Sequence, residues 1–193
     1  MEDTGPEPTT KAQLDAYTIG GARLHGGPIQ LAEYDARWPQ AYDHEANRIR
    51  RILGSTAVRL EHVGSTSVPE LAAKPIIDIV LVVANSGDEA SYVAPLEFCG
   101  YQLRIREPGW FEHRMLKGPE PDINLHVFSE RCSEVARMIR FRDHLRSNSA
   151  DREHYEAKKR ELAARSWEYV QHYADAKTGV IQEILARADC VTT

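Results

Sequence analysis

Residues 76–83 read Ile-Ile-Asp-Ile-Val-Leu-Val-Val, a β-branched run interrupted by one aspartate. Such a run is apolar on both faces and leaves no side for water, so it predicts a central strand covered above and below. A chain containing it must build a sheet with helices packed on it. The rest of the pattern supplies the parts. Tyr42, Ala46, Ile49 and Leu53 recur at helical spacing and predict a helix over 35–53, with Pro39 near its start and Gly54 after its end. Alternation predicts a strand over 57–63, followed by a turn at Gly64–Ser67 and a short helix over 68–73. A helix over 88–99 ends at Gly100. Strands over 101–106, 111–117 and 123–128 are separated by Pro108-Gly109 and by Gly118–Pro121, and helices follow over 131–145, 151–173 and 175–188. Two strands joined by a short crossover, then a meander, imply an α/β (α+β) fold: a mixed five-strand sheet flanked by helices, with further helices at the C-terminal end.

One domain over 29–190 suits a chain of 193 residues. Residues 1–28, punctuated by Gly20-Gly21 and Gly26-Gly27-Pro28, read as a flexible arm, although Leu14, Tyr17 and Ile19 offer it some apolar surface. A net charge of −5 and the lack of an aromatic–basic stripe argue against a nucleic-acid partner. The three cysteines are widely spaced with no Cys-x-x-Cys pair, which points to a reduced, cytoplasmic setting. The acidic, Pro/Thr-rich start has no apolar core of the kind a signal peptide needs, and no stretch is long enough to span a membrane. An exposed sheet edge leaves monomer and homodimer both open.

The chemistry concentrates between His62 and Val83. Gly64 lets the backbone approach a ligand, and Ser65, Thr66 and Ser67 add hydroxyls beside N–H groups that can receive phosphate oxygens. A carboxylate in an apolar strand is costly unless paired, hydrogen-bonded or bound to a cation, so Asp78 either holds a cation against a phosphate or caps a neighbouring backbone. Lys74 is a phosphate contact or a surface lysine. His62 is a metal ligand, a general base or a core histidine. Asn124 and His126 share a strand face. Glu112 and His113 point to opposite faces, and either could line the open side of the sheet. Arg142 and Arg146, four residues apart, grip an anionic substrate or pair with neighbouring acids such as Asp143.

The blocks Glu61-His62-Val63-Gly64-Ser65-Thr66-Ser67-Val68-Pro69, Ala73-Lys74-Pro75-Ile76-Ile77-Asp78-Ile79, Asn124-Leu125-His126-Val127-Phe128 and Phe141-Arg142-Asp143-His144-Leu145-Arg146 resemble the signature of GrpB-like proteins. The resemblance runs from about residue 29 to 188. It implies the nucleotidyltransferase superfamily, in which a Gly-Ser loop and strand carboxylates bind a divalent cation and a nucleoside triphosphate. Carried onto this chain, it implies Asp78 and His126 as catalytic residues and Gly64, Ser65, Thr66, Ser67 and Lys74 as nucleotide contacts. It further implies Asp78, His126 and Asn124 as metal ligands and Arg142 and His62 as substrate contacts. Lys177 matches a family position beside the last helix. The chain departs from the superfamily pattern because Val80 stands where a second carboxylate is usual, and the later strand offers Asn124 and His126 in place of a third. The implied cation is Mg²⁺ or Mn²⁺, with Zn²⁺ brought into range by the imidazole. The implied function is transfer of a nucleotidyl group from a nucleoside triphosphate to a small acceptor. The alternatives are a degenerate nucleotide- or anion-binding module and a repurposed fold acting on another polar small molecule.

Overall fold

In the computed structural model, residues 8–119 and 122–190 are described, so part of the expected turn at 118–121 lies outside the described residues, as do residues 1–7 of the expected arm. The five strands are β1 (Arg59–Val63), β2 (Ile77–Val83), β3 (Gln102–Glu107), β4 (His113–Lys117) and β5 (Ile123–Ser129), in the spatial order β1-β2-β5-β4-β3. The β2–β5 pair is parallel and the others antiparallel, giving the expected mixed sheet. β2 lies inside it, hydrogen-bonded on both edges, as an apolar run of this kind requires.

Period-two alternation then divides the run. Ile77, Ile79, Leu81 and Val83 enter the main core with Trp38, Ala46, Ile49 and Leu53 of α2 (Trp38–Leu53) and Leu96 of α3 (Val93–Phe98). Val80 and Val82 face the other way and pack with Phe128 and with Val135 of α4 (Ser133–Ser147). Asp78 shares this second face, near the start of its strand; α4, α5 (Ser149–Ala163) and α7 (Thr178–Cys190) gather around a satellite core that includes Leu71, Leu145, Tyr155 and Ile184, and the short α6 (Val170–Asp175) lies between α5 and α7 in the chain.

Four expectations change. The short helix over 68–73 is replaced by a single 3₁₀ turn, Ser65–Ser67, followed by extended chain with Glu70 at φ 64°. The backbone groups of this stretch are satisfied from elsewhere: Ala73 bridges Ala32, Ala72 N–H donates to the Glu156 carboxylate at 3.0 Å, and the Lys159 ammonium donates to the Ala72 carbonyl. The helix over 88–99 is broken into a 3₁₀ turn, Glu89–Ser91, and α3, because Pro95 can neither donate an N–H nor tolerate the carbonyl four residues back. The helix over 151–173 divides into α5 and α6, since Trp167 leaves helical geometry to bridge Gly27. The partner in that bridge belongs to the segment expected to be a flexible arm. Its described part is instead docked: α1 (Lys11–Tyr17) buries Leu14, and Thr18 bridges Ile105 on the β3 edge. No helix among the described residues is long and apolar enough to cross a membrane.

Candidate functional site: the Gly-Ser turn and the Asp78 cleft

β1 ends opposite the start of β2, with Val63 facing Asp78 across the ladder. The chain then turns at Gly64, whose φ of +69° lies in the left-handed region and whose missing side chain leaves room for the Asp78 carboxylate. A Cβ at this position would collide with an Asp78 oxygen. The glycine is thus required twice, by conformation and by space. On the other edge of β2, the parallel register sets Asn124 against Asp78 and His126 against Val80. Asn124 Nδ2 donates to Asp78 Oδ1 at 2.7 Å, and His126 Nε2 stands 3.7 Å from the same oxygen. The Asp78 side chain keeps 29% of its surface exposed and that of His126 21%, so both can reach a ligand. Burial opposes the charge on Asp78, but the neighbouring His126, the Asn124 amide and the Lys74 ammonium outweigh it and hold the carboxyl below its usual range.

Lys74 is half-buried, and burial lowers its ammonium pKa while Asp78 pulls it back up. Lys177, between α6 and α7, lies with its Nζ 4.4 Å from the centre of the Tyr173 ring, and burial together with Lys74 pushes it down to about 8. Among the described residues neither lysine has a carboxylate partner within ion-pair distance, and Asp78 is the acid whose field both feel. The cleft therefore holds more positive charge than its single carboxylate offsets. Ser65 faces it from the turn, within reach of the Tyr155 hydroxyl of α5.

The other hydroxyls of the turn have structural partners. Thr66 Oγ1 donates to the Ile76 carbonyl at 3.1 Å, and Ser67 Oγ donates to the Gly64 carbonyl at 2.5 Å, pinning the turn to the start of β2. His62 points to the opposite face from Asp78, stacked on Tyr42 of α2 with ring centres 4.8 Å apart and bonded through Nε2 to Thr66 Oγ1 at 3.1 Å. Burial drives its imidazolium down to about 4. Arg142 is buried in α4, where it donates to Glu61 at 2.7 Å, to the His62 carbonyl at 2.9 Å and to Asp143 at 2.7 Å. With Arg146, which donates to the Ser67 carbonyl at 2.8 Å, it ties α4 to the strand and turn that carry the site.

His113 enters the same face, stacked between His126 and Phe128 with ring centres 5.2 and 4.8 Å away. Alternation along β4 was a signal that it could line this face. Nothing in the sequence pointed to Glu107, which reaches His113 Nδ1 at 2.6 Å.

The Asp78 carboxylate, His126 Nε2 and the Asn124 amide oxygen are donors a divalent cation can share. Among the described residues no three or more His, Cys, Asp or Glu side chains converge to hold a metal alone. The donor set fits one cation whose remaining positions are filled by water or by a ligand's oxygens, as is usual for ions that bind together with phosphates. It does not fit two.

Comparison with known proteins identifies the family of the chain. The chain is 56% identical over 188 residues to the UPF0157 protein BH1888 of Halalkalibacterium halodurans, covering 97% of this chain and 96% of that protein. It is 46% identical over 167 residues to the UPF0157 protein SCO7215 of Streptomyces coelicolor, covering 84% and 88%. The crystal structure of the conserved protein GrpB from Enterococcus faecalis superposes with a TM-score of 0.69 at 30% identity, covering 82% of this chain and 96% of that one. The family described as GrpB protein matches residues 28–187, and the chain belongs to it.

Proposed function

We propose that the Asp78 cleft binds a nucleoside triphosphate together with one divalent cation and transfers its nucleotidyl group to a small acceptor. The observation that carries this reading is the pair of lysines, Lys74 and Lys177, that flank the Asp78 carboxylate beneath the Gly-Ser turn without acidic partners of their own. Two ammonium groups in a half-buried cleft repel one another, and a polyphosphate is a ligand whose charge would relieve that repulsion. Asp78, His126 and Asn124 would hold the cation, which when bound would neutralise phosphate charge and polarise the phosphorus under attack. An acceptor hydroxyl would form its bond to the α-phosphorus as the bond to the bridging oxygen breaks. The acceptor proton would pass to the Asp78 oxygen that does not hold the cation, and pyrophosphate would leave against Lys74 and Lys177. Catalysis would come from positioning and charge matching.

A second reading, binding without transfer, is favoured by the single carboxylate: Val80 faces the cleft side of β2 where another acid would strengthen cation binding.

The test is a thermal-shift screen with each nucleoside triphosphate, with and without Mg²⁺, Mn²⁺ or Zn²⁺, run beside Asp78→Ala, followed by assay of pyrophosphate release. A ligand that binds the native state raises its melting temperature. The reading requires a cation-dependent shift that Asp78→Ala abolishes, and pyrophosphate release with the same dependence. A shift without pyrophosphate selects the binding module. No shift with any triphosphate, or one indifferent to Asp78, sinks both.

A further inference from the structure

The open face of the sheet carries a continuous row of polar groups that ends in the cleft. Glu107 Oε2 lies 2.6 Å from His113 Nδ1, His113 Nε2 lies 3.0 Å from His126 Nδ1, and His126 Nε2 lies 3.7 Å from Asp78 Oδ1. Hydrogen-bond chemistry gives this row a direction. A carboxylate accepts and does not donate, so His113 Nδ1 carries the proton in the first contact. A neutral imidazole protonated there has only a lone pair on its other nitrogen, so His113 Nε2 accepts and His126 Nδ1 donates. The same rule leaves His126 Nε2 with a lone pair facing Asp78. With both rings neutral, Asp78 Oδ1 and a bare imidazole nitrogen face one another at the far end of the row; only a protonated His126 would bond to that oxygen.

The register that permits this is made by a bulge. β3 and β4 pair Leu103 with Leu116 but Ile105 with Met115, so one extra residue, Arg104, is accommodated on β3. Continued without it, the ladder would set Arg106 opposite His113. With it, Glu107 stands there, and Arg106 turns to the other face to pair with Glu89. A one-residue shift thus exchanges a cation for a carboxylate at the head of the row.

We propose that Glu107 and His113 are positioning residues that fix His126 in the tautomer with its proton on Nδ1 and the Nε2 lone pair directed at Asp78. The consequence for cation binding rests on the function proposed above; the tautomer itself does not. Partners of this kind, bonded to the far nitrogen of a ligating histidine, orient the ring and raise its basicity, and their loss typically costs about 10- to 100-fold in metal affinity.

The full chain, ¹⁵N-labelled at histidine and free of metal, is examined by long-range ¹H–¹⁵N correlation at pH 8, where a free imidazole is neutral. Wild type is expected to show His126 protonated on Nδ1. In Glu107→Gln the amide can donate as well as accept, so the row loses its direction and His126 shifts toward the Nε2–H form. Mn²⁺ affinity, read by electron paramagnetic resonance, falls about 10- to 100-fold in Glu107→Gln, and Glu107→Asp recovers part of both signals. A wild-type His126 protonated on Nε2, or a Glu107→Gln spectrum identical to wild type, overturns the proposal. The expected tautomer and its loss in Glu107→Gln, without Mn²⁺ uptake by either protein, supports the positioning role and counts against the cation-assisted function alone.

Discussion

Gly64 and His62 show how much single residues decide near this cleft, and for opposite reasons. At Gly64 the backbone is left-handed and the space of a Cβ is taken by Asp78. Gly64→Ala must strain φ and displace the carboxylate. It should lower stability by about 1–3 kcal/mol in urea unfolding and remove any cation-dependent ligand shift. His62 is two residues away in sequence yet acts in the core. Its pKa is lowered from 6.5 to about 4 by burial, with Asp78 opposing and Arg146 and Arg142 assisting. The unfolded chain takes up this proton near pH 6.5 and the folded chain only near pH 4. Stability from His62 is therefore complete above pH 6.5 and declines as the pH falls toward 4. A His62→Phe variant, which keeps the stacking on Tyr42, should show a shallower loss in that window when both are unfolded in urea across pH 4 to 7. Identical slopes would show that His62 does not set the acid limb.

Between elements, the arginines of α4 act as ties. Arg142 is bonded to Glu61, the His62 carbonyl and Asp143, and Arg146 to the Ser67 carbonyl, so β1 and the Gly-Ser turn are held by one helix. Removing Arg142 leaves Glu61 and a strand carbonyl without their buried donor. Arg142→Ala should cost about 2–4 kcal/mol in urea unfolding, while a ligand-induced thermal shift measured on the folded variant persists. Loss of the ligand shift at unchanged stability would instead make Arg142 a substrate contact. Lys159 does similar work from α5, holding the Ala72 carbonyl while its Nζ sits 5.1 Å from the centre of the Tyr155 ring. In the sequence it sits in the charged run Lys158-Lys159-Arg160. Its burial depends on a loop far away in sequence that offers the Ala72 carbonyl as an acceptor.

Across the whole molecule, the N-terminal segment organises more than its composition suggests. It bridges the β3 edge at Ile105 and the α5–α6 break at Trp167. The Ile19 N–H also donates to the carbonyl of Arg104, the bulged residue, at 2.9 Å. Deleting residues 1–28 should expose an unpaired strand edge. The expected outcome is concentration-dependent self-association in analytical ultracentrifugation and a lower melting temperature. A truncated chain that remains monomeric and equally stable would reduce the segment to a passive covering.

The central strand, the Gly-Ser turn before it, and the shared face of Asn124 and His126 were legible in the sequence because each rests on local rules. A β-branched run excludes water, a glycine permits a left-handed turn, and alternate residues of a strand point the same way whatever lies around them. Parity likewise separated His62 from Glu61, though only pairing with β2 reveals that Glu61 is on the side of Asp78. The rest required tertiary structure. Lys74 and Lys177 meet at Asp78 from segments about a hundred residues apart, and Glu107 faces His113 because of one bulged residue. Helices at 68–73 and 164–169 gave way because the N-terminal segment and distant side chains satisfied those backbone groups better than a helix could. Local sequence sets which conformations a segment favours. Register and long-range partners set which groups finally meet, and the polar row that orders this cleft is a product of register.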